Sequence, residues 1–546
     1  MSAPGPSRLS LDGARFDVIV IGGGINGVAI ARECARAGKR TLIVEQHDFA
    51  SGTTSRSTRI IHGGLRYLEH GELGLVRESL RERERLLRDR AHLVRPMTFL
   101  LALPAHGRHS AMAIRAGLWL YGAMAGHRGA EGSDAHALER LLDSGQQWSI
   151  FHYDDAQCEF PERLVAEWLR EAIHSGAVAR NYTRVIAVET AFGQARGVIV
   201  RDLLSRSEAR IDADFIINAS GPWADRVCAN SMMKLEAPLV GGIRGTHLLL
   251  PMFPGMPDSA VYTEATDGRP IFLVPWNKRL LVGTTEVRDD GDPSRAQPAP
   301  EEIEYLFGSV KKLFPSIPLA WNDVECAFAG VRPLPYCPSD KPSAITRRHR
   351  LHDHASDGAR GMITVIGGKL TTSASLAREC AREIGLRVAE PELAIAAAPR
   401  ANSIDSALRE WARQVASLAG VSEASARAIA EWHGRSAMCI ARTASTDERL
   451  RRPLCPHSEH IVAEAVEAVE HESAMRLADI LLRRVPVALS ACWSGDCTYI
   501  AARRIGAVLG WDEERLAIEI EGCEEERAAF LGRVGQSIGS ASERVS

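Results

Sequence analysis

Hydrophobic and polar positions along the 546-residue chain follow three successive rhythms. The first rhythm alternates strands and helices. An unbroken run from Phe16 to Ile21 reads as a buried strand. Ala29, Ile30, Ala31, Cys34 and Ala35 then recur at helical spacing, and Thr41 to Val44 forms a short apolar strand ending on Glu45. Residues 72–95 predict an amphipathic helix, with Leu75, Val76, Leu80, Leu86, Leu87 and Leu93 on one stripe among many Arg and Glu. Apolar runs in 97–125 flank a polar break at 106–110, and 126–147 read as a loop around a short helix. Residues 160–177 predict a helix with Pro161 near its start and Gly176 at its end.

The second rhythm belongs to strands. Residues 178–203 alternate as in a small sheet, and Asp214 to Trp223 is a strand entering a glycine turn at Gly221. Across 236–350 strands dominate, including 240–251 and the pair 271–276 and 279–285 around Asn277-Lys278. Residues 362–372 are another apolar strand; it leads into Gly367-Gly368-Lys369 and a helix from Thr371. The third rhythm is helical, over 403–419, 423–433, 460–471, 477–483, 498–509 and 512–534. Residues 1–15 and 535–546 read as flexible tails.

The first strand–helix–strand unit carries chemistry. Gly22, Gly24 and Gly27 have the spacing GxGxxG. In such a unit the first glycine allows the turn, the second lets backbone approach a pyrophosphate, and the third lets helix and sheet pack closely. The helix N-terminus offers free N–H groups to phosphate. Glu45 sits where a carboxylate accepts from a ribose hydroxyl. Together these predict a dinucleotide site. The following loop, 51–59, is rich in hydroxyls, among them Thr53, Thr54 and Ser55, and suits a diphosphate or ribityl chain. Arg66 and Tyr67 follow the glycine-rich segment His62-Gly63-Gly64. Arg332 stands in the rigid run Gly330-Val331-Arg332-Pro333, and a guanidinium held this way suits a phosphate or carboxylate. Gly367, Gly368 and Lys369, before Leu370 and Thr371, form a second strand–turn–helix anion site.

Composition narrows the class. The net charge is −3, from 66 Lys and Arg against 69 Asp and Glu, which gives nucleic acid no basic surface to find. The 11 cysteines are scattered without a CxxC, which argues against a zinc ribbon or disulfide framework; no metal site is expected. No apolar run reaches the ~20 residues of a membrane span. The length calls for two or three domains.

The stretch from GGGINGVAIA (22–31) through IIHGGLRYLE (60–69) resembles FAD-dependent glycerol-3-phosphate dehydrogenases, the quinone-linked flavoprotein type. The order FLVPW, GTTEV, GVRP and GGKLTT matches the same family, and the likeness runs from about residue 16 to 530. Three places depart from its usual pattern: Ser373-Ala374 replace Tyr-Arg, Arg59 replaces Lys, and Pro161-Glu162 replace Asp-Ala.

The resemblance implies an α/β fold. A Rossmann-type, D-amino-acid-oxidase-like FAD domain would comprise 16–95, 178–235 and 360–388, and a β-rich substrate domain 96–177 and 236–359. A C-terminal helical cap would cover 400–534. It implies FAD held by Gly22, Gly24, Gly27, Glu45, Thr53, Thr54, Ser55, His62, Gly63, Gly221, Gly367, Gly368, Leu370 and Thr371. It places Arg66, Tyr67 and Lys369 at the substrate, and His247 and Arg332 at the reacting centre, with His247 the candidate proton acceptor.

The expected reaction is oxidation of sn-glycerol 3-phosphate to dihydroxyacetone phosphate, with electrons passed to quinone. The chain would be cytoplasmic and attached peripherally to the inner face of the cell membrane; a homodimer stays open. Two other readings stand beside it. One is an oxygen-reducing glycerol-phosphate oxidase, or an FAD oxidase of a small amino or hydroxy acid. The other is a non-enzymatic dinucleotide-binding module.

Overall fold

A computed structural model describes residues 10–69, 71–104, 111–125, 134–231, 233–265, 267–339, 341–388 and 401–531. Two sheets and a helical region share the chain. The first sheet has eight strands. Its main path runs Arg350–Asp353, Met362–Ile366, Glu208–Asn218, Arg15–Ile21, Thr41–Val44, Val178–Arg180, and Glu208–Asn218 is extended by the hairpin Thr183–Ala191 and Gln194–Asp202. Its centre is parallel: Ile21 pairs with Val44 on one side and Asn218 on the other. A parallel strand covered on both faces must be apolar throughout, and Val18, Ile19, Val20 and Ile21 are all buried.

One face of this sheet carries helix Ile25–Arg36, whose Val28, Ala29, Ile30 and Ala31 are fully buried. Helices Pro161–His174 and Ser373–Glu383 pack beside it, burying Leu164, Leu169, Leu376 and Ala377 in the same cluster. The helix expected over 160–177 packs on helix Ile25–Arg36, in a cluster that also takes in Val94, Ala156 and Cys158 of the second sheet. Its Leu164, Val165, Trp168 and Leu169 stripe finds its partner surface there.

The second sheet has nine strands, almost all antiparallel. Its order is Val287–Arg288, Val240–Pro251, Arg279–Gly283, Pro270–Trp276, Ala260–Glu264, Val94–Pro104, Trp148–Cys158, Ile60–Ile61, with Cys326–Pro335 also paired to Val240–Pro251. The hairpin between Pro270–Trp276 and Arg279–Gly283 turns at Asn277 and Lys278 with φ of 51° and 62°. Two left-handed residues match the strand twist. Helix Pro300–Leu313 covers one face of the sheet, and the other packs into one cluster with the C-terminal helices.

Those C-terminal helices are Ala401–Ala419, Glu423–His433, Ala437–Thr446, Val462–His471, Gly495–Leu509 and Glu513–Leu531. The sequence pattern missed Ala437–Thr446. The helix expected over 477–483 is one turn, Leu477–Asp479, followed by a wider turn, Ile480–Arg484. That widening accompanies a buried polar joint to the first sheet. Arg484 Nη1 and Nη2 each donate to Asp48 at 2.7 Å, and Arg163 Nη1 donates to Glu472 at 2.7 Å. Of the tails expected to be flexible, 1–9 and 535–546 lie outside the described residues. Residues 10–15 are held in place: Gly13 N–H donates to Arg210 O at 2.9 Å and Arg15 opens the first strand.

Two departures from the resembled family pattern meet in space. Arg59 donates to both carboxylate oxygens of Glu162, at 2.9 and 3.0 Å, with side-chain exposures of 0% and 1%. The guanidinium also lies 4.3 Å over the Trp276 ring and donates to Ser55 O and Glu159 O. Each residue is the other's counter-charge, so neither is neutral to lose. The variant E162Q leaves Arg59 buried without an anion; denaturant titration is expected to show a loss of about 3–5 kcal/mol in unfolding free energy, and an unchanged midpoint would refute the pairing.

Candidate active site

The carboxyl ends of Arg15–Ile21, Thr41–Val44 and Glu208–Asn218 open into a cavity of about 980 Å³. This is where open α/β sheets bind ligands. Gly22 turns with φ of 106°, and a Cβ there would lie 2.6 Å from Ala219 O. A Cβ on Gly27 would lie 1.9 Å from Gly22 O, so strand and helix approach as only glycine permits. Gly24 faces the cavity, and only the Thr54 hydroxyl would come within 4 Å of a Cβ there. This bare backbone at a helix N-terminus fits a pyrophosphate.

Glu45 lines the same end. Its carboxylate accepts from Gly23 N–H at 2.6 Å and His47 N–H at 2.9 Å, so it also braces the glycine turn. Burial raises its pKa. In the hydroxyl-rich loop, Thr54 accepts from Ile25 N–H at 3.1 Å and Thr53 donates to Val331 O at 2.8 Å; both line the cavity. Ser55 donates to Ala50 O at 2.7 Å and stands behind the wall. Gly63 is also behind it, with its N–H donated to Tyr121 Oη at 2.9 Å and Asp155 Oδ1 at 3.1 Å. Gly27 supports the cradle from below. His62, Gly221, Gly367, Gly368, Leu370 and Thr371 all reach the cavity, and Thr371 accepts from His62 N–H at 3.1 Å.

At the far end the cavity meets the second sheet. His247 and Arg332 come from neighbouring strands; Tyr67 joins them from the short helix Arg66–Glu69 after the second sheet's strand Ile60–Ile61, and Lys369 from the turn after the first sheet's strand Met362–Ile366. The Lys369 ammonium lies 4.5 Å over the Tyr67 ring and donates to Ser79 Oγ at 3.1 Å. Burial pulls its pKa down to about 8, against the opposing pull of Glu78 and Glu72. Arg332 donates to Thr284 Oγ1 at 2.9 Å and Thr285 O at 3.3 Å. Burial pulls its pKa to about 10, partly offset by Glu286. Among the described residues, no carboxylate comes within salt-bridge distance of Lys369 or Arg332. Arg66 lies in the short helix Arg66–Glu69, and its side chain is outside the described residues.

His247 is 1% exposed, held between Gly283 and the ring of Phe328, whose centroid is 5.0 Å away. Its Nε2 shares a 2.9 Å hydrogen bond with Thr58 Oγ1, and Nδ1 has no partner. Burial, with Arg332 and Arg59 adding to it, lowers its pKa to about 3, so the ring is neutral at physiological pH.

Sequence reasoning overlooked several parts of this wall. Thr58 on the wall, and Thr284 which holds Arg332 from behind it, carry no motif of their own. The C-terminal helix Glu513–Leu531 reaches the cavity with Cys523, Glu526 and Ala529, and its Phe530 stacks on Phe328 at 5.0 Å. Arg56, another cavity-lining cation, lies 4.4 Å over Phe530. Only pairing across the fold reveals these contacts.

A family model described as FAD dependent oxidoreductase matches residues 17–381, and one described as the C-terminal domain of alpha-glycerophosphate oxidase matches 363–516. The chain belongs to the FAD-dependent oxidoreductases. It is 34% identical over 534 residues to a glycerol-3-phosphate dehydrogenase of Synechocystis sp., covering 93% of this chain and 95% of that one. It is 30% identical over 494 residues to the aerobic glycerol-3-phosphate dehydrogenase of Bacillus subtilis, covering 86% of each. The solved structure of the glycerol-3-phosphate dehydrogenase from Bacillus halodurans complexed with FAD superposes with a TM-score of 0.74 at 25% identity, over 96% of this chain and 97% of that one. Within its class, the chain belongs with the glycerol-3-phosphate dehydrogenases.

The environment of Lys369 has a direct signature. With lysines dimethylated by ¹³C-formaldehyde, the signal absent from a K369R control is expected to titrate near pH 8, far below the ordinary 10.5. A midpoint near 10.5 would show that the ammonium is not desolvated.

Proposed function

We propose that this chain is an FAD enzyme that oxidises sn-glycerol 3-phosphate to dihydroxyacetone phosphate and passes the electrons to a quinone. The observation that carries the substrate is a pair of half-buried cations, Arg332 and Lys369, that face the cavity without a carboxylate within salt-bridge distance among the described residues. A phosphate dianion supplies the missing charge, and fixed cations gain most where water is excluded. Two cations, with Arg66 as a third by resemblance, exceed what the single carboxylate of an amino or hydroxy acid needs. They also count against a plain binding module.

The fit to FAD rests on the glycine cradle and Glu45. When bound, the flavin supplies the hydride acceptor. The residues of this chain then divide the remaining work. Gly22, Gly24 and Thr54 hold the diphosphate, and Gly367, Gly368 and Leu370 border the ring system. Lys369, Tyr67 and Arg332 clamp the substrate phosphate and so orient the carbinol carbon. His247 takes the hydroxyl proton: its ring is neutral, and donating Nε2–H to Thr58 leaves the Nδ1 lone pair as acceptor. Stacking between Gly283 and Phe328 fixes the ring plane.

Anaerobic addition of sn-glycerol 3-phosphate is expected to bleach the flavin, and a quinone analogue to restore its colour faster than oxygen does. H247Q is expected to keep its FAD but bleach ~10²–10⁴-fold more slowly, the usual contribution of a general base. Rapid reoxidation by oxygen with stoichiometric peroxide would favour an oxidase, and no bleaching at all would overturn the substrate assignment.

Attachment to a membrane surface is part of this reading. Among the described residues no helix is long and apolar enough to cross a membrane. Helix Ala111–Ala125 is nevertheless apolar and turned outward, with Met112 79% and Trp119 61% exposed. Such a helix suits the headgroup–acyl boundary. The double variant M112S/W119S is expected to lose sedimentation with vesicles while keeping activity on a soluble acceptor; undiminished sedimentation would sink this role for the helix.

A further inference from the structure

Away from the cavity, the strand Arg350–Asp353 and the turn after it bring two imidazoles and a carboxylate together. His352 Nε2 lies 2.7 Å, and His354 Nδ1 2.8 Å, from one and the same oxygen, Asp357 Oδ2. All three donor atoms fall within 4.8 Å of one another, and the two rings are 4.6 Å apart at 76°. We propose that His352, His354 and Asp357 bind one divalent transition-metal ion of the zinc class, with water completing its coordination.

The donor set is the first support. Two imidazole nitrogens and a carboxylate oxygen suit Zn²⁺ and its neighbours Ni²⁺ and Cu²⁺, and disfavour Mg²⁺ and Ca²⁺, which prefer oxygen. Around a metal at ~2.0–2.1 Å in a tetrahedron the donor atoms stand about 3.3 Å apart, so the two N···O distances open from 2.7 and 2.8 Å while the two nitrogens stay within the 4.8 Å that the cluster already spans. The side chain of His352 is 31% exposed, so the cluster is reachable from solvent, while His354 anchors it at 0%.

The backing of His354 is the second support. Its Nε2 lies 2.7 Å from Thr364 Oγ1, which also accepts from Asn218 Nδ2 at 3.3 Å. With Nε2 held by Thr364, Nδ1 is the ring nitrogen that faces Asp357 and would ligate the metal. A metal-bound histidine characteristically donates its other ring N–H in this way. Cys228 Sγ lies 3.9 Å from the Nε2 side of His354, away from the shared oxygen, and is not a ligand.

The backbone keeps the donors in place. Asp357 N–H and Ala359 N–H both donate to His354 O, at 3.1 and 2.9 Å, and His354 N–H donates to Met362 O at 3.1 Å. The scan for cysteine pairs, which led to the expectation of no metal, passes over this H-x-H-x-x-D spacing. The metal would clamp the hairpin whose return strand, Met362–Ile366, delivers Gly367 and Gly368 to the cavity.

The test uses untagged holoenzyme stripped by a chelator, loaded with Zn²⁺, dialysed, and assayed by plasma mass spectrometry and thermal unfolding. One zinc per chain and a zinc-dependent rise in Tm are expected. H352Q and D357N should keep their FAD and fold, but lose both the zinc and the Tm rise. Removing an outer-shell partner already weakens metal binding by ~10–100-fold, so loss of a ligand should weaken it at least about 100-fold. Wild-type protein that retains no zinc would overturn the proposal. So would variants that retain as much zinc as the wild type, since the ion would then sit elsewhere.

Discussion

A methyl group at Gly27 would come within 1.9 Å of the carbonyl of Gly22, and the rest of the molecule is arranged around that closeness. It seats helix Ile25–Arg36 directly on the parallel sheet and leaves its N-terminal end bare. With side chains excluded from this corner, bracing falls to groups one layer out: Glu45 through Gly23 N–H, and Thr54 through Ile25 N–H. The loop that carries Thr54 is pinned in turn by Arg59 and Glu162 to the start of helix Pro161–His174, which packs beside the glycine helix. A chain of contacts thus leads from a steric limit to a buried ion pair and back to the same helix.

The opposite end of the cavity is governed by charge. Burial lowers the affinity of Lys369, Arg332 and His247 for protons, and each is affected differently. His247 loses its charge entirely, while the lysine and arginine keep theirs at neutral pH. A neutral ring therefore stands beside permanent cations. The cation Arg332 also lowers the proton affinity of the ring, so an anion held at the cations favours proton uptake by His247. Tyr67, under the Lys369 ammonium, limits the freedom of the cation without neutralising it.

Much of the first sheet was legible because it is local. Unbroken apolar runs mark strands buried on both faces, and glycine spacing marks the turn. The turn at Asn277-Lys278 could likewise be placed from the strands around it. What escaped the sequence depends on partners far away along the chain. Ser55 and Gly63 fall in cofactor-like motifs, yet their polar groups are used up by Ala50, Tyr121 and Asp155. The 477–483 segment has helical periodicity, but its arginines turn toward Asp48, 435 and 436 positions away. The apolar stripe of helix Pro161–His174 settles on helix Ile25–Arg36, a partner more than a hundred positions earlier that periodicity alone does not name.

Phe530 lies against Phe328, which lies against His247, so the wall behind this histidine is finished by the last helix among the described residues. The glycine cradle, by contrast, is made of residues near the beginning. During synthesis the nucleotide-binding half emerges from the ribosome long before the residue that closes the catalytic half. A nascent chain can therefore shape the seat for its cofactor well before it has an enclosed place for chemistry.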